Sequence, residues 1–287
     1  MGAGRVIGRL APTPSGYLHL GNAVNFVLTW LLTRQAGGTL HLRIDDLDRA
    51  RLRRSYLDNI FRVIDWLGLD YDYGPSGPDD FLRHYSQLLH LTDYNRVLRR
   101  LSQQPGLVYA SHRSRTGGDA ATEVPLTTPG AAWRVRVPTA VKSRFLDGGQ
   151  GLTVVPLGTL MPEFVIRKKD GVAAYQVASV ADDLRLGTTL IVRGLDLLPS
   201  TAAQLWVAGQ ISETSAFDAH RIQFYHHALL TDVAGRKLSK SAQKPLEMGV
   251  LTQASGPQVA YAAVAQLLEL PAEAGESLAT LLKHCTI

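Results

Sequence analysis

Two short stretches near opposite ends of the chain carry side chains suited to phosphate chemistry. The first is Arg-Leu-Ala-Pro-Thr-Pro-Ser-Gly-Tyr-Leu-His-Leu-Gly-Asn at residues 9–22, between a short apolar strand (Val6, Ile7, Leu10) and a long apolar run. Pro12, Pro14 and Gly16 prevent either regular structure from continuing, so the backbone must turn out of the strand there. His19 then stands at the mouth of a helix predicted over 20–35. A helix start offers unpaired N–H groups and a partial positive charge, so the His-Leu-Gly-Asn turn can hold phosphate oxygens, with Gly21 letting a nucleotide lie against the backbone. A helix cap or packing residue is the other reading of His19. The second stretch, Gly-Arg-Lys-Leu-Ser-Lys-Ser at residues 235–241, is a small cationic loop. It reads either as a lid whose Lys237 and Lys240 neutralise a departing pyrophosphate, or as an ordinary solvated basic loop.

Other residues could handle a carboxylate or a metal. Asp45, Asp46 and Asp48 form a divalent-metal cluster or the cap and first turn of the next helix. Tyr175 and Arg193 can close over a carboxylate, which a planar guanidinium takes in two parallel bonds; a core tyrosine and a structural ion pair are the alternatives. Asp182 and Asp183 suggest a turn or cap before they suggest magnesium, and neighbouring His226 and His227 would point opposite ways on a strand, which disfavours a shared metal. Arg49, Arg51, Arg53 and Arg54 read as phosphate contacts or as a solvated helix face.

The elements that must position these groups follow from pattern. Gly37-Gly38 stops the first helix, and residues 39–44 alternate as a strand. Strand, helix, strand with a right-handed crossover is the half-unit of a doubly wound parallel α/β sheet, whose ligands lie beyond the carboxyl ends of the strands. Residues 9–19 and 45–49 therefore share the binding edge. Amphipathic helices are predicted over 52–67 and 79–103, with Tyr56, Ile60, Val63, Ile64 and Leu67, then Phe81, Tyr85, Leu88, Leu89, Tyr94, Val97 and Leu98 as core. Residues 105–162 change texture to short strands (107–109, 133–137) among Gly-, Thr- and Ser-rich loops, which reads as an insertion between two half-sheets. Residues 163–197 then give a strand, a turn at Asp170-Gly171, a helix and another strand, opening the second half-sheet. A helix over 201–212, a strand over 222–225 and closing helices over 257–270 and 276–283 complete the chain.

Totals set the class. The 287 residues are 45% hydrophobic with mean hydropathy −0.01, as in a globular chain able to bury a core, and no apolar run reaches membrane-spanning length. One cysteine, Cys285, excludes a disulfide framework within the chain, and no charged start with an apolar run opens it, so a reducing cytoplasmic setting is expected. A formal net charge of +5 and a pI of about 9.4 suit a polyanionic partner.

Together, residues 19–22 and 237–241 resemble the HIGH and KMSKS motifs of class I aminoacyl-tRNA synthetases. Arg-Ile-Asp-Asp-Leu-Asp at 43–48 resembles the Arg-Ile-Glu-Asp-x-Asp element of glutamyl-tRNA synthetases, whose first acid binds the amino group of glutamate; here it is Asp45, one methylene shorter. Tyr-Gln-x-Ala at 175–178 and Val-Arg-Gly-x-Asp-Leu at 192–197 resemble the truncated members of that family, the glutamyl-queuosine tRNA(Asp) synthetases, and the stretch after the lysine loop is too short for anticodon-reading helical domains. The resemblance implies a class I synthetase Rossmann-like fold with an inserted α+β subdomain and a short helical C-terminal region. Its parts would be 1–104 and 163–228 for the two Rossmann halves, 105–162 for a tRNA-contacting insert, and 229–287 for the lysine loop and closing helices. It implies ATP over His19, Gly21, Asn22, Lys237, Ser239 and Lys240, and L-glutamate held by Arg9, Thr13, Asp45, Tyr175 and Arg193. His19, Lys237 and Lys240, with Mg²⁺, would stabilise charge as glutamyl-adenylate forms. The glutamyl group would then pass to the queuosine base in the anticodon stem-loop of tRNA(Asp). A monomer is expected. Ser111 and Arg113 fall where zinc-binding members carry cysteines, so no structural zinc is expected, and Ser179 stands where asparagine is frequent. Two rivals are an adenylate-forming paralogue loading another tRNA, a carrier protein or a small molecule, and a non-catalytic tRNA- or nucleotide-binding module.

Overall fold

The computed structural model describes residues 5–112, 122–230 and 249–285. Strand β1 (Ile7–Leu10) ends ahead of the two prolines, and α1 (Leu20–Gln35) and β2 (Thr39–Leu42) follow as the pattern predicts. Gly38 is dictated by close approach, because a Cβ there would lie 2.6 Å from the carbonyl oxygen of Val6. Helix α2 (Arg54–Trp66) buries Leu57, Ile60, Val63 and Ile64 at helical spacing.

The single helix predicted over 79–103 is broken. One turn, α3 (Pro78–Asp80), passes into a π turn over Phe81–Tyr85; Ser86 is extended at ψ 138°, and after a 3-10 turn over Gln87–His90 the helix resumes as α4 (Leu91–Ser102). The cause is polar: Ser86 and the backbone of Gln87 leave the helix to hydrogen-bond buried Asp46. Leu88 and Leu89, predicted as core, are consequently exposed, Leu89 at 55%.

Beyond α4 come β3 (Val108–Ser111), β4 (Ala132–Arg136), β5 (Ser143–Asp147), β6 (Gly151–Val155), the turn α5 (Leu157–Leu160), β7 (Glu163–Arg167), α6 (Tyr175–Arg185) and β8 (Leu190–Gly194). Helix α7 (Leu198–Ala208), β9 (Gln223–His227), α8 (Val250–Gln253), α9 (Gln258–Leu267) and α10 (Leu278–His284) complete the described chain. Packing divides it into two units, one of Met1–Leu89, Thr188–Leu195 and Phe224–Ile287, the other of His90–Gly187 and Asp196–Gln223.

In the first unit the strands lie in the order β2, β1, β8, β9, with β1 parallel to both β2 (Leu10 beside Leu42) and β8 (Gly8 beside Leu190). Helix α1 packs on β1, β2 and β8, and Val24, Val27, Leu28 and Leu31 join Leu10, Leu40, Ile60 and Val192 in one buried cluster that α9 and α10 close. Strands buried on both faces need apolar runs and helical crossovers, which is what this stretch of sequence supplies.

In the second unit β3, β4 and β7 form an antiparallel sheet, so β7 does not open a second parallel half-sheet as predicted; Val135 of β4 registers with Phe164 of β7, and Arg134 ion-pairs with Glu163 at 3.3 Å. Strands β5 and β6 form an antiparallel hairpin around the glycines at 148–151, and Asp147 Oδ1 accepts from the backbone N of Gly149 at 2.9 Å and of Gln150 at 3.0 Å. Asp182 and Asp183 belong to neither turn nor cap. Both are fully buried within α6, where Asp182 accepts from the Tyr94 hydroxyl at 2.8 Å and from Arg185 at 2.9 Å.

Candidate active site at the carboxyl edge of the parallel sheet

The parallel ladder of the first unit continues past its strands: the backbone N of Arg43 donates to Leu10 O, and that of Asp45 to Pro12 O, both at 2.9 Å. Thr13 and Asp45 therefore leave the sheet side by side at its carboxyl edge. Extending the register of Gly8 with Leu190 puts Arg193 beside Ala11 at the same edge. Arg9, one strand position earlier than Leu10, is registered with His41, and both Arg9 and Arg193 are buried, at 4% and 3% exposure.

His19 takes the cap position predicted as its alternative role. Its backbone is extended, its Nδ1 accepts from the backbone N of Gly21 at 3.1 Å, and its own N donates to Asn22 Oδ1 at 3.0 Å. This does not exclude phosphate chemistry. With Nδ1 committed as an acceptor, the neutral ring carries its proton on Nε2, a donor next to the helix N-terminus. A Cβ at Gly21 would meet His19 Cε1 and Nδ1 at 3.1 Å, a tight contact that glycine avoids. The turn is fixed from behind by Leu18, whose N donates to Asn59 Oδ1 at 2.9 Å and whose carbonyl accepts from Val250 N at 2.7 Å. Lys237, Ser239 and Lys240 lie outside the described residues; Val250, soon after them in sequence, is thus tied to the residue preceding His19.

The acids at 45–48 serve neither as helix cap nor as a joint cluster. Arg53 is the N-cap of α2 and makes no side-chain cap bond. Asp45 is gripped by Arg43 in a bidentate pair, Nε to Oδ1 at 2.7 Å and Nη2 to Oδ2 at 3.1 Å. Asp46, with no exposed side-chain surface, accepts from Ser86 Oγ at 2.7 Å, Gln87 N at 2.8 Å and Arg49 at 2.7 Å. A buried carboxylate is tolerable when its oxygens are met by several donors. The arginines after it are drawn into local contacts: Arg51 with Asp48 at 3.8 Å, Arg54 with Asp58 and Asp79, and Arg53 over the Tyr56 ring.

Sequence reasoning misses Ser86 and Gln87, takes Asp46 only as a metal or cap candidate, and gives Arg43 no role beyond its place in the 43–48 motif. Arg43 looks like an ordinary outward strand residue, and an uninterrupted helical pattern conceals Ser86 and Gln87; the one signal is the acid pair Asp45-Asp46 set between apolar Ile44 and Leu47.

In the second unit Tyr175 is the first residue of α6 and is 43% exposed, and Ser179 is buried in the same helix. Ser111 is buried in β3 opposite Ala132, His112 is exposed, and Arg113 lies outside the described residues. The alternation predicted for the histidine pair holds: His226 stacks with Phe224, while His227 faces Ala228 O at 2.8 Å and Asn25 Oδ1 at 3.2 Å. Among the described residues no group of three His, Cys, Asp or Glu is placed to hold a metal ion, and no helix is long and apolar enough to cross a membrane.

Comparison with known proteins gives a consistent kinship. The family described as tRNA synthetases class I (E and Q), catalytic domain, matches residues 5–114 and 128–283. A glutamyl-Q tRNA(Asp) synthetase of Nitratidesulfovibrio vulgaris is 36% identical over 277 residues, covering 87% of this chain and 82% of that protein. One from Pseudomonas fluorescens is 35% identical, covering 92% and 85%. Among solved structures, a glutamate-tRNA synthetase from Elizabethkingia anophelis superposes with a TM-score of 0.78 at 22% identity over 99% of this chain. A glutamate tRNA ligase from Elizabethkingia meningosepticum, solved with its amino acid, gives 0.76 at 21% identity over 99%. The chain spans 66% and 65% of those two structures' lengths, and the likeness fixes the class I α/β fold.

Proposed function

The chain belongs to the class I tRNA synthetases of the glutamate and glutamine type, among the relatives of the glutamyl-Q tRNA(Asp) synthetases, and from that premise we propose that it activates glutamate as glutamyl-adenylate and transfers it to the queuosine base of tRNA(Asp). It is a ligase, and its family implies use of ATP. Mg²⁺ enters with the nucleotide, as MgATP.

In the first step the α-carboxylate of glutamate attacks the α-phosphorus of ATP, an anhydride bond forms and pyrophosphate leaves. Such a displacement needs alignment and charge neutralisation rather than a protein nucleophile. His19 Nε2–H at the start of α1, beside Gly21 and Asn22, is assigned as a donor to the nucleotide phosphates, with Lys237, Ser239 and Lys240 carried by the motif. Arg9, Thr13, Asp45 and Arg193 of the first unit are assigned to glutamate. Arg193 takes the side-chain carboxylate, because a planar guanidinium meets a carboxylate in two parallel charge-assisted bonds that a neutral amide cannot match, which penalises glutamine. Tyr175 is assigned by its family motif. In the second step a hydroxyl of the modified base attacks the acyl carbon and AMP leaves, with residues 105–162 proposed as the basic insert that meets the stem-loop backbone.

The observation that carries this reading is the capped His19 turn lying at the same sheet edge as Thr13 and Asp45. Glutamate-dependent ATP–pyrophosphate exchange tests it: Lys240→Ala should lose at least about tenfold, and exchange equal to the unaltered protein removes Lys240 from the chemistry. Labelled glutamate offered to queuosine-containing and queuosine-free tRNA(Asp) tests the acceptor, and label on both, or on neither, rejects queuosine. Asp45 and Ser179 favour one alternative, a different amino acid or acceptor, which an exchange screen over all amino acids separates.

A further inference from the structure

We propose that Asp46 and Gln87 are positioning residues that pin the backbone of residues 45–47 so that the short Asp45 side chain reaches the substrate amino group. This rests on the assignment of Asp45 above. An aspartate carries its carboxylate one carbon nearer the backbone than a glutamate does and has one fewer rotatable bond. Its reach therefore depends on where the backbone is held. Three ties hold it. The backbone N of Asp45 donates to Pro12 O at 2.9 Å. The backbone N of Leu47 donates to Gln87 Oε1 at 3.1 Å, and the backbone N of Gln87 returns the bond to Asp46 Oδ1 at 2.8 Å. Ser86 Oγ completes the clasp on Asp46 Oδ2 at 2.7 Å.

All three clasp side chains are nearly fully buried: Asp46 is 1% exposed, Ser86 3% and Gln87 3%. The clasp also has a visible structural cost. The helix that the sequence pattern would run unbroken is interrupted at Ser86, and Leu88 and Leu89 are left exposed. An interruption serving only packing would have buried those leucines. Here it delivers a serine hydroxyl and a backbone N–H to one carboxylate, next in sequence to the candidate amino-group ligand. Arg43 fixes the Asp45 carboxylate itself, so backbone and side chain are held separately.

The test measures glutamate and ATP KM in pyrophosphate exchange for Gln87→Leu, Ser86→Ala and Ser86→Thr, each checked by thermal unfolding, alone and combined with Asp45→Ala. Gln87→Leu and Ser86→Ala should raise the glutamate KM roughly fivefold or more while leaving the ATP KM within about twofold, and Ser86→Thr, which keeps the hydroxyl, should recover most of the loss. In the Asp45→Ala background Gln87→Leu should add nothing to the glutamate KM, the non-additivity expected of residues acting through one group. Parallel rises in both KM values, or full additivity, would make the clasp merely structural and overturn the proposal. If Asp45→Ala itself leaves the glutamate KM unchanged, the assignment of Asp45 fails and the proposal falls with it. If Asp45→Ala raises that KM and neither clasp variant does, the positioning role alone is refuted.

Discussion

The helix cap made by His19 Nδ1 is compatible with the phosphate role proposed for the same residue, because capping through Nδ1 places the neutral ring's proton on Nε2. Substitution can separate them. His19→Ala removes both and should destabilise the protein by about 1 kcal/mol, as loss of an N-cap does. His19→Asn restores a capping oxygen without an Nε2–H, so melting should return near the unaltered value while pyrophosphate exchange stays depressed by about tenfold or more. Exchange restored along with the melting temperature would reduce His19 to a cap. At the glutamate end, Arg193→Ala should raise the glutamate KM sharply and leave the ATP KM nearly alone; the reverse pattern takes Arg193 out of the amino-acid pocket. Type and spacing single these residues out as candidates in the sequence. The distant partners of Asp46 were not legible there, since Ser86 and Gln87 lie some forty residues away and only folding brings them near.

Elements followed their periodicity wherever apolar spacing alone decided them, as in α1 and α2, and departed from it where a buried polar group made the stronger demand. The break at Ser86 is that case; the placement of β7 departed from expectation for a different reason, its strand partner. Strand-turn-helix-strand is equally compatible with a parallel or an antiparallel partner for its first strand, and the pairing with β4 was invisible because the β5–β6 hairpin and α5 separate the two strands in sequence. That second sheet carries a measurable pH signature. Burial, then the hydrogen bond and charge of Glu163, push the Tyr109 phenol from 10.0 up to about 12. Between those values the unfolded chain has released the proton and the folded one retains it, so stability falls as pH rises through that window and is unaffected by this group below it. Denaturant titrations from pH 8 to 12 should show this decline, and Tyr109→Phe should flatten it; an unchanged slope would show that Tyr109 ionises as an exposed phenol.

For the molecule as a whole, a formal charge of +5 predicts salt-sensitive association with a polyanion. With about five phosphate contacts, affinity for tRNA should drop roughly 10²–10³-fold between 50 and 200 mM salt. A flat salt dependence in a filter-binding or anisotropy titration would argue against a backbone-gripping insert. The sequence by itself pointed to the family through the resemblance of its motifs, and it determined the carboxyl edge, because apolar spacing, prolines and a histidine before a helix act over a few residues and leave their mark in local order. Tertiary structure alone decided which acid meets which donor and which strand joins which sheet. A hydrogen bond is directional and lasts only across about 3 Å, and no local pattern records which distant residue will come within that distance.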